Sequence, residues 1–407
     1  MRAAIPREIH RHTPFIATST IGRRPMPRPT RALYAFGVLA LLLCHPAAGG
    51  AQLERGAPPE RPQLSRRADP NDWNAYFDRG VELLRREQGG GAGAAFYWAA
   101  RLEPSRGEPL YGEWVAFWMR DYTRWTSYLA RDPKLMASPE VALADSLRWT
   151  ARMRNPLLHQ GLEILLYDRM PGYWEGDNYT RGVLAYSAAD FRVALRYLGR
   201  AVNQGTRRGW ARQIRAQAFS ATAQYDSALA EVALLRVAME GDDGAALAPY
   251  ESKALLDHAS SLLHLAARNP EAARQAAERA LAEDLSFYPA HDVLGQLALS
   301  RGEVDRAVAH FSDALLVAPG DAVMHYRHGM ALMAAGRAAD AAVALRETVR
   351  REPHYAAARL QLGRALDLAG DAKGALAAYG AYLSRAPRAD TVVIRAVEAR
   401  MAVLGGG

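Results

Sequence analysis

The chain has 407 residues, half of them apolar and 23% charged, too long for one small core and long enough for two or three ordinary domains or one extended repeat array. Its formal charge of +8 sits mostly at the amino end, where residues 1–51 hold seven arginines (Arg2, Arg7, Arg11, Arg23, Arg24, Arg28, Arg31) against one acid, Glu8. The remainder is near neutral, which excludes an electrostatic footprint for nucleic acid, and the single cysteine, Cys44, lies in the same leader, so the rest of the chain holds no disulfide or cysteine metal site.

Residues 1–51 read as a basic leader with a signal peptide. Residues 32–44, ALYAFGVLALLLC, form an apolar run that is short against the roughly 20 residues of a membrane-spanning helix but fits the apolar region of a secretory signal. Arg28 and Arg31 flank it, and Gly49-Gly50-Ala51 offers cleavage before Gln52. Met26 offers an alternative start, with the basic flank directly after it. The expected location is therefore periplasmic or envelope-associated. An uncleaved amino-terminal anchor is the alternative, so membrane or envelope association runs through this leader. Leu41-Leu42-Leu43-Cys44 is similar to a lipoprotein box, although Leu43 stands where that box takes a small residue. Arg23-Arg24 is followed by Pro25-Met26-Pro27, which does not fit twin-arginine export.

Residues 52–70 are rich in Pro, Arg and Gln with no apolar period, so a flexible linker is expected. Residues 71–106 then form one helix-pair unit, in which Gly80, Leu83, Ala92, Phe96, Ala99 and Pro104 stand at regular places. Residues 107–174 do not fit one such unit and read as a helical insert or degenerate repeats, with helices near 108–121, 139–153 and 156–168. Here Tyr111, Trp114, Trp118, Tyr122 and Trp125 recur at helical spacing. Such a stripe is either core, packed on Phe96, Tyr97 and Trp98, or an aromatic groove gripping a peptide or glycan, since Trp, Tyr and Arg dominate binding hot spots.

Residues 175–253 keep the same positions with decay: Gly182, Ala194, Leu198 and Ala201, then Ala216, Phe219 and Ala228. Residues 254–389 hold the strongest pattern. Its first window keeps Ala273, Ala277 and Ala280, and the next three start 34 residues apart at Tyr288, Ala322 and Ala356. Each of these three has Gly at its eighth position (Gly295, Gly329, Gly363) and Gly at its fifteenth (Gly302, Gly336, Gly370). Each then has Ala at the twentieth (Ala307, Ala341, Ala375), a bulky residue at the twenty-fourth (Phe311, Leu345, Tyr379) and Pro at the thirty-second (Pro319, Pro353, Pro387). A period of this length marks a solenoid of stacked units. The eighth and twentieth positions are expected where two helices approach closely, the fifteenth where glycine ends a helix in the left-handed conformation, and the proline where no helix can continue.

This pattern resembles the tetratricopeptide repeat (TPR), with about seven repeats along the chain, four of them strong. The expected fold is all-α, an α-solenoid of antiparallel helix pairs forming a superhelix. Residues 390–407 supply a capping helix and tail, with Val393, Val397, Met401 and Leu404 as its apolar stripe; a solenoid end needs such a cover.

The resemblance implies a protein or peptide ligand in a concave groove lined by positions 2, 5, 9 and 12 of each first helix. These are Pro289, Asp292, Gln296 and Leu299; Val323, Tyr326, Met330 and Met333; and Ala357, Leu360, Arg364 and Asp367. The Met/Tyr centre suits varied partners. Some family members grip terminal carboxylates with Lys and Asn at positions 5 and 9. Here those positions hold Asp292/Gln296, Tyr326/Met330 and Leu360/Arg364, so that clamp is absent.

No catalytic motif stands out, and no cofactor or metal is expected. His325 and His328 lack an accompanying HExxH and read as surface or inter-helix residues; His291 and His325 share a packing position in adjacent repeats. The expected function is an exported scaffold mediating protein–protein interaction. The alternatives are an enzyme or glycan-binding protein with its site in 107–174, or a structural subunit of a secretion or outer-membrane assembly complex.

Overall fold

The computed structural model describes residues 58–86, 88–120, 178–187, 190–205, 208–238 and 252–406. Sixteen helices and no strands occur among them: α1 (Trp73–Arg85), α2 (Gly89–Leu102), α3 (Gly107–Arg120), α4 (Asn178–Ser187), α5 (Phe191–Gln204), α6 (Arg208–Ala221), α7 (Tyr225–Ala238), α8 (Lys253–Ala266), α9 (Pro270–Glu283), α10 (Tyr288–Ser300), α11 (Val304–Val317), α12 (Ala322–Ala334), α13 (Ala338–Arg351), α14 (Ala356–Leu368), α15 (Ala372–Leu383) and α16 (Thr391–Gly405). The segments expected to be helical near 139–153 and 156–168 lie outside the described residues, as do the leader and residues 52–57.

Six of the helices begin where a short polar side chain satisfies a free backbone donor. The side chains of Asp72, Asp190, Ser252, Asn269, Asp321 and Asp371 accept from the first turns of α1, α5, α8, α9, α12 and α15, the usual role of an N-cap. Several end where the chain turns left-handed, with φ of +74° at Gly302, +73° at Gly336 and +82° at Gly370. Short turns then bring each second helix back along the first, so α8/α9, α10/α11, α12/α13 and α14/α15 pack as antiparallel pairs. Each second helix also packs on the first helix of the next pair. The result is an all-α solenoid whose core is a file of apolar clusters running from pair to pair.

The eighth-position glycines mark a close approach between the two helices of a repeat, as the spacing predicts: a Cβ on Gly329 would come within 3.4 Å of the carbonyl oxygen of Ala341, at position 20. A Cβ on Gly295 would lie 2.7 Å from the Phe311 ring, and one on Gly329 would lie 2.7 Å from Leu345 Cγ. The glycine thus clears space for the bulky twenty-fourth residue of its own repeat, and position 20 contributes through its own burial: Ala307, Ala341 and Ala375 are fully covered. Close-packed interiors leave no slack for an added methyl at such a contact. Phe96 does the same at the amino end, filling the space over both Gly80 in α1 and Gly112 in α3. The solenoid packing therefore continues from the first pair into α3.

Within residues 52–70, expected as a flexible linker, Pro59 and Arg61 lie against the first pair. The Trp98 indole donates to the Pro59 carbonyl at 2.9 Å, and the Arg61 guanidinium lies over the rings of Trp98 and Tyr76. Arg61 thus finds aromatic faces, and the Pro59 carbonyl an indole donor, that composition alone does not reveal. At the other end, Val397 of α16 is buried against α15 and Val393, Ile394, Met401 and Leu404 pack beside it.

Candidate interaction surface

The first helices α10, α12 and α14 carry the residues assigned to the groove, and the structure sorts them into three kinds. Some are consumed by packing: Pro289 and Leu360 are buried. Others are consumed by ion pairs. Asp292 on α10 pairs with Arg327 on α12, both largely covered. Asp367 on α14 receives two hydrogen bonds from Arg400 of α16, each 2.7 Å, and one from the Tyr379 hydroxyl at 3.3 Å. The Arg400 hydrogen bonds hold the Asp367 carboxyl below the usual carboxylate range. The third kind remains available. Gln296 and Arg364 are exposed and Met330 is half-buried, whereas Leu299, Tyr326 and Met333, also half-buried, pack against the apolar core. Gln296, Met330 and Arg364 share position 9 of three successive first helices, so the solenoid brings them into one row. Trp114 and Trp118 belong to α3, but their side chains, and Tyr122 altogether, lie outside the described residues.

The Tyr326 ring stacks at a tilt on Tyr355, centroids 5.2 Å apart. Burial raises both phenols above the ordinary tyrosine value, and the Glu103 carboxylate adds to the rise in each. Glu103 comes from the turn after α2, more than two hundred residues away in sequence. Its presence shows that the first helix pair lies against the carboxyl-terminal repeats. Four further contacts fix that docking. Arg101 forms a buried ion pair with Glu352. Trp98 meets the His354 ring edge-on at 5.2 Å. The Asn71 amide donates to the Ala386 carbonyl at 3.4 Å, and the Arg388 backbone N–H donates to the Asp69 carboxylate at 2.6 Å. Each contact has one partner in the segment before α14 or α16, and Glu103 reaches the Tyr326/Tyr355 pair, while Gln296 and Arg364 stay exposed. Sequence reading missed this contact because no local pattern links residues so far apart.

A second buried network stiffens the middle of the array. The Asp257 carboxylate of α8 receives Arg236 of α7 at 2.9 Å and Arg279 of α9 at 3.2 Å. Glu231 of α7 pairs with Arg212 and Arg215 of α6, each at 2.9 Å. Such pairs set register between neighbouring helices, because losing one partner leaves a charge buried alone.

Helix pairs stacked at a fixed period, small residues under bulky ones, and a capped end together define a class, the α-helical repeat scaffold. Residues 332–401 match the tetratricopeptide repeat family. Among curated proteins, the Hsp70-Hsp90 organizing protein of Triticum aestivum is 37% identical over 93 residues, covering 23% of this chain. The chain spans 16% of that relative's length. Among solved structures, the C-terminal part of a TPR repeat-containing protein from Cytophaga hutchinsonii is similar at 13% identity and a TM-score of 0.43, covering 56% of this chain and 95% of that one. YrrB, described as a TPR protein with an unusual peptide-binding site, is similar at 16% identity and a TM-score of 0.39, covering 49% of this chain and 97% of that one. MamA is similar at 15% identity and a TM-score of 0.36, covering 42% and 87%. These scores are low, so the fold assignment rests on the helix pairing and the small-residue period.

Proposed function

We propose that this protein is a TPR scaffold that binds a protein segment along the row formed by Gln296, Met330 and Arg364. The observation that carries the reading is α12. It offers Met330 half-buried, with Tyr326 and Met333 packed partly on the core, between exposed Gln296 on α10 and exposed Arg364 on α14. An adaptable apolar centre between polar ends suits an amphipathic or extended segment. The partial similarity to a protein named for organising Hsp70 and Hsp90 supports a role in bringing proteins together. The segment bound is not a carboxylate-clamped tail, because Asp292 is already paired with Arg327 and positions 5 and 9 carry no Lys/Asn pair.

The same proposal places the scaffold outside the cytoplasm, in the periplasm or at the envelope. Its support is the apolar run 32–44 behind Arg28 and Arg31. Among the described residues, no helix is long and apolar enough to cross a membrane.

Affinity purification of the full chain from its native envelope, with mass spectrometry of partners and of the amino terminus, tests both parts. A partner recovered by the wild type should fall at least about tenfold with Met330→Glu, a loss of 1.4 kcal/mol or more. Equal recovery by that variant would discard the row as the binding surface. A recovered chain that still carries residues 1–51 in a soluble fraction would discard export.

A further inference from the structure

The repeat built from α10 and α11 carries a side-chain cluster that the binding reading does not use. His291 is the fourth residue of its repeat, on α10; His310 and Asp313 are the twenty-third and twenty-sixth, on α11. Residues three apart on a helix share a face, so His310 and Asp313 both look toward α10. The two imidazoles meet through their Nδ1 atoms at 3.3 Å, and one ligand atom from each of the three residues lies within 4.8 Å of the others.

The neighbouring repeats show why these residues meet. In the preceding repeat, positions 4 and 26 are Asp257 and Arg279, and they are joined by a hydrogen bond of 3.2 Å. In the following repeat they are His325 and Glu347, close enough for the carboxylate to act on the ring. The register therefore apposes positions 4 and 26 in three successive repeats. What sets the α10/α11 repeat apart is position 23. The corresponding residues are Ala276, Ala344 and Ala378, and only here does an imidazole stand in place of a methyl group.

We propose that His291, His310 and Asp313 form a binding site for a first-row divalent transition cation of the zinc type. Two nitrogens bound to one tetrahedral metal at about 2.0–2.1 Å sit ~3.3–3.4 Å apart, which is the separation already present. Imidazole and carboxylate ligands suit zinc and its neighbours rather than magnesium or calcium, which take oxygen shells. Both imidazoles are half-buried, and each neutral ring offers one lone pair to a metal. Two other charged groups act on His310: Glu278 of α9 and Arg306 of α11. Glu278 is paired with Arg274, and Arg306 with Glu303. Asp313 is exposed while the histidines are half-buried. The site therefore opens to solvent on the carboxylate side, leaving a fourth position for water or for a side chain of a bound protein. A metal held here would clamp α10 to α11.

The test is titration of the metal-free full-length chain with Zn2+ by calorimetry and with Co2+ by visible absorption, with Mg2+ and Ca2+ as comparison cations. The expected result is one Zn2+ per chain at this site and a tetrahedral cobalt band, with no heat from Mg2+ or Ca2+. Asp313→Asn alters an exposed side chain and keeps the fold, so it should weaken Zn2+ at least about tenfold. His291→Ala and His310→Ala should abolish the cobalt band. His325→Ala and His328→Ala, one repeat further on, should leave both readouts unchanged. Zinc binding that survives Asp313→Asn and His310→Ala, or a wild type with no saturable site, would overturn the proposal and leave a hydrogen-bonded histidine pair. Equal loss in the His325 and His328 variants would overturn the assignment of the site.

Discussion

Arg101 and Glu352 stand 251 residues apart and form a buried ion pair, with side chains only 10% and 2% exposed. This pair fixes the first helix pair to the turn before α14. Around it, Trp98 lies on His354, and Glu103 faces Tyr326 and Tyr355. In an open solenoid each repeat touches only its neighbours; this one has an additional long-range contact that brings its ends together.

Breaking that pair by one partner should open the contact. Glu352→Ala leaves the Arg101 guanidinium buried without its carboxylate, a cost of about 3–5 kcal/mol for removing one member of a buried pair. The expected outcome is undocking of residues 58–106 rather than loss of helix, because the helices of each repeat hold through their neighbours. Limited proteolysis should cut near residues 103–106 faster, small-angle scattering should show a longer particle, and circular dichroism should be unchanged. The swap Arg101→Glu with Glu352→Arg should recover part of the docking. Unchanged proteolysis in Glu352→Ala would show that the contact does not hold the ends together.

Two degenerate repeats keep the left-handed helix end without the glycine. Ala223 has φ +56° and Arg268 φ +58°. Both occupy the fifteenth position of their windows, where Gly302, Gly336 and Gly370 stand in the strong repeats. A Cβ in this conformation costs roughly 1–2 kcal/mol, partly offset by the greater freedom glycine has when unfolded. Ala223→Gly and Arg268→Gly should therefore each stabilise the array by about 0.5–1 kcal/mol, read as a higher denaturant midpoint. A fall in midpoint for both would show that these turns are not strained.

Asp321 gives a pH dependence whose sign is fixed by its surroundings. Burial pushes its carboxyl up to about 6 from 3.8, against hydrogen bonds from the Met324 and Val323 backbone and the Tyr288 hydroxyl. The folded state thus holds the proton more tightly than the unfolded chain. The associated stability is fully present below the unfolded value near 4 and is lost as pH rises through 6, a change of up to about 3 kcal/mol. Asp321→Asn keeps an N-cap acceptor without a charge to bury. Other groups titrate in this range, including His258, which burial lowers to about 4, so the informative quantity is the variant minus the wild type. That difference in thermal midpoint should grow in favour of Asn between pH 4 and pH 7. Parallel curves would show that Asp321 does not titrate in this window.

Much of the fold was legible because it is written in side-chain volume. Gly295 under Phe311, Gly329 under Leu345 and Gly363 under Tyr379 repeat at one spacing, and the residues that end each helix repeat with them. The site was legible only as a set of register positions. Nothing local distinguishes Asp292, spent on Arg327, from Gln296, which is free to meet a partner. The metal cluster escaped for a related reason. His291 and His325 look equivalent along the sequence, and the difference lies across the helix pair, at His310 against Ala344.

The amino-acid sequence by itself determined the helix pairs, their 34-residue period and the apolar face of the cap, because each depends on torsions and volumes within one repeat or between neighbours. Only the tertiary structure decided that Pro59 and Arg61 meet Trp98, that Arg101 reaches Glu352, and which first-helix side chains stay open. Those outcomes depend on the small rotation each repeat adds to the one before it. Summed along the array, that rotation decides which distant residues meet, and no single residue encodes it.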